Sequence, residues 1–314
     1  AILVALMTIA CGDKPEALLA SAKEYLAKND SKAAVIQIKN ALQSNPNLPE
    51  ARFLLGATLL ESGDPVGAET ELRKALDLGH PQDVVVPLLA RAMLARGDAR
   101  KLTDEFAKVE LTSPSAKSSF LTTLSSAYGL QGKADLSQAA LTAALLAEPA
   151  YVPALILRAR QKAAQRDDDG ALALTEDVIS RSPKSHEAWK LKGDILLHAK
   201  NQPSEALVAY RQAVAVKPEF LAGHSAIATL LLQQGKLDEV SVQLAQLKKL
   251  ADSHPQTKYI EAQLAFLRKD FKSARDLLQL VLKVAPGNVQ ALQLAGAVEL
   301  QLNSLPQAEG YLTK

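Results

Sequence analysis

Residues 49–81 read PEARFLLGATLLESGDPVGAETELRKALDLGHP, and this stretch decides the fold because it contains two amphipathic helical patterns and the turn between them. In the first half Leu55, Gly56 and Leu59 share one face. The segment 61–65 then supplies a helix stop, a turn and a proline suited to start the next helix. In the second half apolar residues recur at spacings of three and four, at Ala68, Leu72, Ala75 and Leu76. The stretch therefore predicts a helical hairpin.

Similar text returns along most of the chain. Units of about 34 residues begin at Pro15, Pro49, Asp83, Ser118, Val152, Leu221, Pro255 and Val289, and one more, with Trp189 and Gly193, lies in the gap between the fifth and seventh. Ser125 and Ser137 weaken the fourth unit, because they are polar where the other units have small apolar residues. The last unit stops inside its second helix, which predicts that the natural protein continues.

The positions of the small residues carry a family resemblance. Counted from Pro49 as position 1, Gly56 and Ala68 fall on positions 8 and 20. This resembles the tetratricopeptide repeat, whose signature is W-x2-L-G-x2-Y, then A-x3-F, then P. Five residues represent the resemblance, as repeat-packing positions: Gly56, Ala68, Trp189, Gly193 and Ala206. It implies an all-α fold, a right-handed α-solenoid of helix-turn-helix repeats, about eight complete and one truncated.

The composition excludes several other classes of protein. The chain has 314 residues, of which 48% are hydrophobic and 4% aromatic, so its apolar material suits helix packing and a folded structure. The net charge of +2 comes from interspersed residues and offers no basic block for nucleic acid. One cysteine excludes an internal disulfide framework.

The first ten residues, AILVALMTIA, are uncharged and apolar. This predicts a signal-peptide remnant over residues 1–10, with its hydrophobic region retained. Ala10 before Cys11 resembles the lipobox of bacterial lipoproteins, which implies lipidation of Cys11, a lipidated linker over 11–14 and a solenoid over 15–314. An uncleaved apolar first helix with an incidental cysteine is the alternative. Because Gly12 follows Cys11, we expect an outer-membrane lipoprotein that faces the periplasm.

Catalytic and cofactor motifs are weak throughout. No phosphate-binding GxxxxGK[ST] loop occurs. Ser225 lies in a GHSAI sequence that lacks the second glycine of a nucleophile elbow. The histidines form no zinc-binding pair, and the acidic run 167–169 is interpreted as a helix-capping turn. We therefore expect no enzyme activity, no cofactor, no metal and no nucleic-acid partner.

A binding surface is the remaining candidate for function. The resemblance implies a concave groove, lined by the first helices of the repeats, that binds protein or peptide segments. The candidate groove residues at positions 5 and 9 are Lys23, Phe53, Arg91, Arg160, Lys190, Asp194, Tyr259 and Gln263. A leucine-rich row at position 12 serves either the groove or the interhelix core.

The whole chain also resembles the tetratricopeptide-repeat lipoproteins of bacterial PEP-CTERM/exosortase and exopolysaccharide systems. This implies a non-enzymatic scaffold that binds partner proteins during export and assembly of extracellular polymer or surface proteins. Two alternatives stay open. One is a general assembly protein for another secretion, pilus or cellulose-export system. The other is the regulatory half of an enzyme whose catalytic domain lies beyond residue 314.

Overall fold

The computed structural model describes residues 14–313. Over this range the chain forms eighteen α-helices and no β-strand. The helices are α1 (Pro15–Ala27), α2 (Ser31–Ser44), α3 (Pro49–Glu61), α4 (Pro65–Asp77), α5 (Gln82–Ala95), α6 (Ala99–Phe106), α7 (Pro114–Leu130), α8 (Ala134–Ala147), α9 (Val152–Ala164), α10 (Asp168–Arg181), α11 (His186–His198), α12 (Pro203–Val216), α13 (Leu221–Gln233), α14 (Leu237–Ala251), α15 (Pro255–Leu267), α16 (Phe271–Val284), α17 (Val289–Gln301) and α18 (Leu305–Leu312). The predicted fold class, an all-α solenoid of helical hairpins, is confirmed.

The described chain divides into two compact units. Unit 1 ends at Leu157 and unit 2 begins at Arg158, inside α9. In unit 1 the largest buried cluster runs from α4 to α7, and a second one joins α1 to α3. In unit 2 one cluster runs from α11 to α15 and another from α15 to α17. In each unit neighbouring hairpins thus share their apolar faces, as repeat proteins do.

Short turns within the hairpins explain where the second helices begin. Each such turn contains a residue with positive φ, for example Asn29 and Gly63, which lets the chain reverse directly after the first helix. An aspartate follows in several hairpins and caps the next helix. Asp30 accepts a hydrogen bond from the Ala33 amide at 3.0 Å, and Asp64 accepts one from the Gly67 amide at 2.9 Å.

Proline turns join successive hairpins and hold a second recurring contact. The residue before each proline is extended, as the proline ring requires, for example Asn45 with φ −142° and ψ 100°. A side chain six residues after the proline donates back to the proline carbonyl. The donor–acceptor distances are 2.9 Å for Arg52 Nη2 to Pro46 O, 2.9 Å for Trp189 Nε1 to Pro183 O and 2.8 Å for His224 Nε2 to Pro218 O.

Buried charge stabilises the junction of α4, α5 and α6 in unit 1. Glu69 is 3% exposed and accepts hydrogen bonds from Arg73 at 2.9 Å, from Lys101 at 3.1 Å and from Arg96. Burial raises the pKa of Glu69, but the hydrogen bonds from the three cations outweigh it and lower this pKa to about 2. Glu69 therefore stays ionised, as a paired buried carboxylate should.

The third hairpin departs from the expected repeat. Its second helix, α6, has only 8 residues, and an irregular segment over 107–113 replaces the missing turns. Asp83 of α5 holds this segment, because its carboxylate accepts hydrogen bonds from the Thr112 amide at 2.8 Å and the Ser113 amide at 2.9 Å. The next helix then begins at Pro114 and not near Ser118, which corrects the unit boundary predicted from the spacing.

Candidate partner-binding groove

The first helices of unit 2 surround an open cavity of about 680 Å³. Its walls come from α11 and α13, with Tyr210 of α12 behind them and the start of α15 at one side. The lining residues are Lys190, Asp194, Leu197, His198, Tyr210, Phe220, Leu221, Ala222, Ser225, Ala226, Thr229, Leu230, Gln233, His254 and Gln256.

Helical spacing explains why these residues meet. Lys190 and Asp194 are four residues apart on α11, and Ala222, Ser225 and Thr229 recur at three and four along α13. Such spacings place side chains on one face of a helix. Two of the predicted groove residues, Lys190 and Asp194, therefore lie side by side in the wall of this cavity.

One wall carries a hydrogen-bonded set of polar groups. The Lys190 ammonium lies 3.0 Å from Asp194 Oδ1 and 2.7 Å from Oδ2. The Tyr210 hydroxyl donates to Asp194 Oδ1 at 2.9 Å. Burial raises the pKa of Tyr210, and the negative charge of Asp194 raises it further. Tyr210 is thus a permanent donor, and the carboxylate of Asp194 is held from two sides.

Gly193 determines how Tyr210 reaches this wall. A Cβ atom at Gly193 would lie 2.4 Å from Cε1 and 2.5 Å from Cδ1 of the Tyr210 ring. The ring occupies the space that the glycine leaves, and Tyr210 is 1% exposed. Gly193 and Ala206, predicted as packing residues, are both buried between α11 and α12. Sequence reasoning did not identify Tyr210 as a groove residue, although its place opposite a glycine was a usable signal.

Ser225 is the unusual group of the floor. Its side chain is 9% exposed, lines the cavity and has a hydroxyl oxygen without a hydrogen-bond partner among residues 14–313. The neighbouring His224 does not contact it, since its ring nitrogens lie 2.8 Å from Pro218 O and 3.0 Å from Gln243 Oε1. Ser225 therefore lacks the base that a nucleophilic serine needs.

The predicted groove residues of unit 1 have varied surroundings. Lys23 forms an exposed ion pair with Glu50 at 2.6 Å. Phe53 is half-buried and stacks on His80 with 4.7 Å between the ring centroids. Arg91 is exposed and has no ion pair within the described part of the chain. The packing residues Gly56 and Ala68 are buried between α3 and α4.

The other predicted groove residues of unit 2 lie outside the cavity lining. Arg160 is exposed, Gln263 is half-buried and Tyr259 directs its hydroxyl to Gln290 O at 3.5 Å. The packing residue Trp189 is half-buried at the edge of the core. In the position-12 row, Leu60, Leu94 and Leu232 pack in or against the cores, so the core interpretation accounts for them.

Several other predictions concern chemistry that the groove does not use. Among residues 14–313 no three His, Cys, Asp or Glu side chains cluster as a metal site would require. In the acidic run 167–169, Asp167 caps α10 through the Gly170 amide at 3.0 Å, and Asp169 pairs with Lys200 at 2.5 Å. No helix within 14–313 has both the length and the apolar character to cross a bilayer. Cys11 and residues 1–10 lie outside the described residues.

Comparison with known proteins supports the fold. The tetratricopeptide-repeat family model matches residues 19–83. A formate-dependent nitrite reductase complex subunit, NrfG of Escherichia coli O157:H7, is 28% identical over 143 residues, which cover 45% of this chain and 72% of the relative. The match to the family model and the repeated hairpins make this chain a protein of the tetratricopeptide-repeat fold.

Solved structures share this architecture at low sequence identity. The crystal structure of PilW, a widely conserved type IV pilus biogenesis factor, has a TM-score of 0.53 at 19% identity and covers 62% of this chain and 90% of its own. Yeast Tom70 has a TM-score of 0.60 at 17% identity and covers 100% of this chain and 66% of its own. Likeness at this level of identity describes the fold alone.

Proposed function

We propose that this protein is a non-enzymatic scaffold that binds segments of partner proteins in the groove of its first helices. The observation that carries this proposal is the cavity of unit 2, where polar side chains of α11 and apolar side chains of α13 face the same space. Ligand sites typically combine apolar walls with a few oriented polar groups. Repeat proteins present extended concave surfaces of this kind to their partners.

Site-specific crosslinking tests where partners bind. A photoreactive amino acid at Thr229, which lines the cavity, should crosslink partner proteins in envelope extracts. The same amino acid at Val242, which is 62% exposed on α14 and outside the lining, is the matched control. Equal crosslinking from both positions, or none from Thr229 in extracts where affinity capture recovers partners, would contradict binding in the groove.

The exposed arginines extend the proposal to charge. Arg91 and Arg160 are each exposed at position 9 of a first helix, and each should attract acidic or carboxylate-bearing segments. Reversal of both charges should weaken partner capture and reduce its salt dependence while the melting temperature stays nearly unchanged, because exposed charges contribute little to stability. Unchanged capture of every recovered partner would argue against this role.

We further propose that the scaffold works in a bacterial envelope system for exopolysaccharide or PEP-CTERM surface-protein export, as an outer-membrane lipoprotein anchored through Cys11. The lipobox-like text before Cys11 and the resemblance of the whole chain support this proposal. Expressed with a complete signal peptide, the wild type should enter the membrane fraction with a lipid-sized mass increment on its N-terminal peptide. Cys11→Ser should abolish both. An unmodified Cys11 in a water-soluble protein would contradict the anchor.

A general assembly role in another envelope system is the second candidate. It is favoured by the 28% identity to a subunit of a nitrite reductase complex over 72% of that subunit. The identity of the crosslinked partners separates the two candidates: export or polymer-synthesis proteins favour the first, and subunits of a redox or pilus assembly favour the second.

A further inference from the structure

We propose that the cavity of unit 2 binds an uncharged, extended peptide segment, with one large apolar side chain on the floor and the adjacent peptide group on the Lys190–Asp194 wall. This inference rests on the proposed scaffold function and specifies the chemistry of the segment that the groove accepts. It concerns only the walls formed by α11, Tyr210, α13 and the start of α15.

The charges around the cavity favour an uncharged ligand. Helix α13, which forms the floor, contains no Asp, Glu, Lys or Arg. The charged residues of the wall, Lys190 and Asp194, neutralise each other at 2.7 Å. A charged side chain entering this space would lose water without meeting an uncompensated opposite charge, and such burial is costly.

The polar wall matches a peptide group. Lys190 donates to two atoms of one carboxylate, so its ammonium retains a further N–H donor. Asp194 accepts from Lys190 and Tyr210 and still has a free lone pair. A donor and an acceptor thus stand side by side, and a peptide group presents the complementary C=O and N–H. Tyr210 positions this pair because its hydroxyl fixes the carboxylate.

The floor supplies apolar contact and one unsatisfied hydroxyl. Leu197, Phe220, Ala226 and Leu230 line the cavity and remove apolar surface of a ligand from water. Ser225 Oγ is buried and has no partner within residues 14–313. A buried hydroxyl without a hydrogen bond is unfavourable, so a ligand group that bonds it would gain affinity. The floor is therefore suited to a side chain such as Leu or Phe beside a backbone polar group.

Fluorescence anisotropy with end-blocked Gly/Ser peptides that differ only at a central Leu, Phe, Ser, Glu or Lys tests the proposal on the full chain. We expect the Leu and Phe peptides to bind the protein about tenfold more tightly than the Ser, Glu and Lys peptides, because only the former bury an apolar side chain without burying a charge. Equal binding of all five peptides, or binding of none, would overturn the proposal.

Charge placed in the cavity provides the matched variants. Ala226→Glu should weaken binding of the Leu peptide by about tenfold, since it puts an unpaired carboxylate on the floor. Ala222→Glu, at an exposed lining position, should act in the same direction and serves if Ala226→Glu does not fold. Ala57→Glu, at a half-buried position of α3 in unit 1, should leave binding unchanged. An equal loss in Ala57→Glu, or no loss in either cavity variant, would contradict the site.

Two further measurements separate this inference from neighbouring possibilities. Tyr210→Phe should weaken the Leu peptide by about fivefold while the Gly-Ser contacts of the floor persist, because only the position of Asp194 changes. Competition of the Leu peptide by an uncharged oligosaccharide would instead assign the cavity to polysaccharide and overturn the proposal. If Ala226→Glu still captures the crosslinked partner proteins, the scaffold function stands and the peptide assignment fails.

Discussion

Two hairpins of the same design, α3–α4 in unit 1 and α11–α12 in unit 2, use a glycine at the same repeat position for different ends. In α3–α4, a Cβ atom at Gly56 would lie 2.7 Å from Cγ of Leu72, an aliphatic side chain that ends inside the core. In α11–α12, the space at Gly193 holds the ring of Tyr210, whose hydroxyl passes the crossing and reaches Asp194 in the groove wall.

The difference shows how a packing position becomes a binding position. An aliphatic residue opposite the glycine closes the core. A tyrosine at the same place fills the core with its ring and presents its hydroxyl beyond it, as buried tyrosines generally seek a polar partner. Stability and groove geometry are then coupled in the second hairpin and separate in the first.

Alanine at the two glycines should give the largest contrast. Gly193→Ala should lower the free energy of unfolding by about 3 kcal/mol, because the new Cβ overlaps a buried ring that cannot rotate away. Gly56→Ala should cost less, since Leu72 can shift its side chain. Urea unfolding followed by the fluorescence of Trp189, the only tryptophan of the chain, reports the change in unit 2. Equal midpoints for the two variants would contradict the comparison.

A larger side chain tests the first crossing by itself. Gly56→Leu should cost about 2 kcal/mol through overpacking against Leu72. Ala57→Leu, one residue along at a half-buried position, is the control and should change stability far less. The measurement is the denaturant midpoint by circular dichroism. Similar losses in the two variants would mean that the assigned repeat register is wrong.

Removal of the Tyr210 hydroxyl isolates what the aromatic version adds. Tyr210→Phe retains the packing on Gly193 and should cost about 1.5 kcal/mol, the range for hydrogen bonds to charged groups. Because the pKa of Tyr210 is raised in the folded state, its contribution to stability is complete below the ordinary tyrosine pKa and is lost as the pH rises above about 10. The wild type should therefore lose stability in alkaline titration more steeply than the phenylalanine variant, and parallel curves would refute the coupling.

A third crossing, between α7 and α8, sharpens the comparison with the smallest effect. Ser125 and Ser137 are buried here and each donates its hydroxyl to the other's carbonyl oxygen, both at 2.8 Å. Ser125→Ala should cost about 1 kcal/mol, as one net hydrogen bond does. The double variant with Ser137→Ala should cost less than twice that, because the pair acts as a unit. Strictly additive losses in thermal unfolding would show independent serines.

The sequence predicted the helices, the turns and the crossings at Gly56 and Gly193, because helical periodicity and small residues depend on local spacing. It misjudged Ser125 and Ser137 as weak points, since a pattern of residue types does not show that two hydroxyls satisfy each other. Arg52 looked like a missing tryptophan, yet it donates to the preceding proline carbonyl just as Trp189 does. Chemical equivalence between an arginine and an indole becomes visible only with the acceptor in place.

The shortened α6 and the cavity escaped prediction for a related reason. The spacing from Asp83 to Pro114 suggested an ordinary repeat, but Asp83 binds the Thr112 and Ser113 amides and stabilises an irregular segment in place of helical turns. In unit 2 the predicted positions identified Lys190 and Asp194, whereas Tyr210, Phe220 and His254 come from other elements that only the three-dimensional structure brings together.

The side-chain bonds to the proline carbonyls have a mechanical consequence. At Pro46, Pro183 and Pro218 a side chain of the following hairpin is tied to the last turn of the preceding one. At Pro286 the corresponding residue is Leu292, which has no donor to offer. Under a stretching force, the tied junctions should resist separation until the hydrogen bond breaks, whereas the junction before α17 should yield at lower force. The chain would then extend in unequal steps, beginning where the tie is missing.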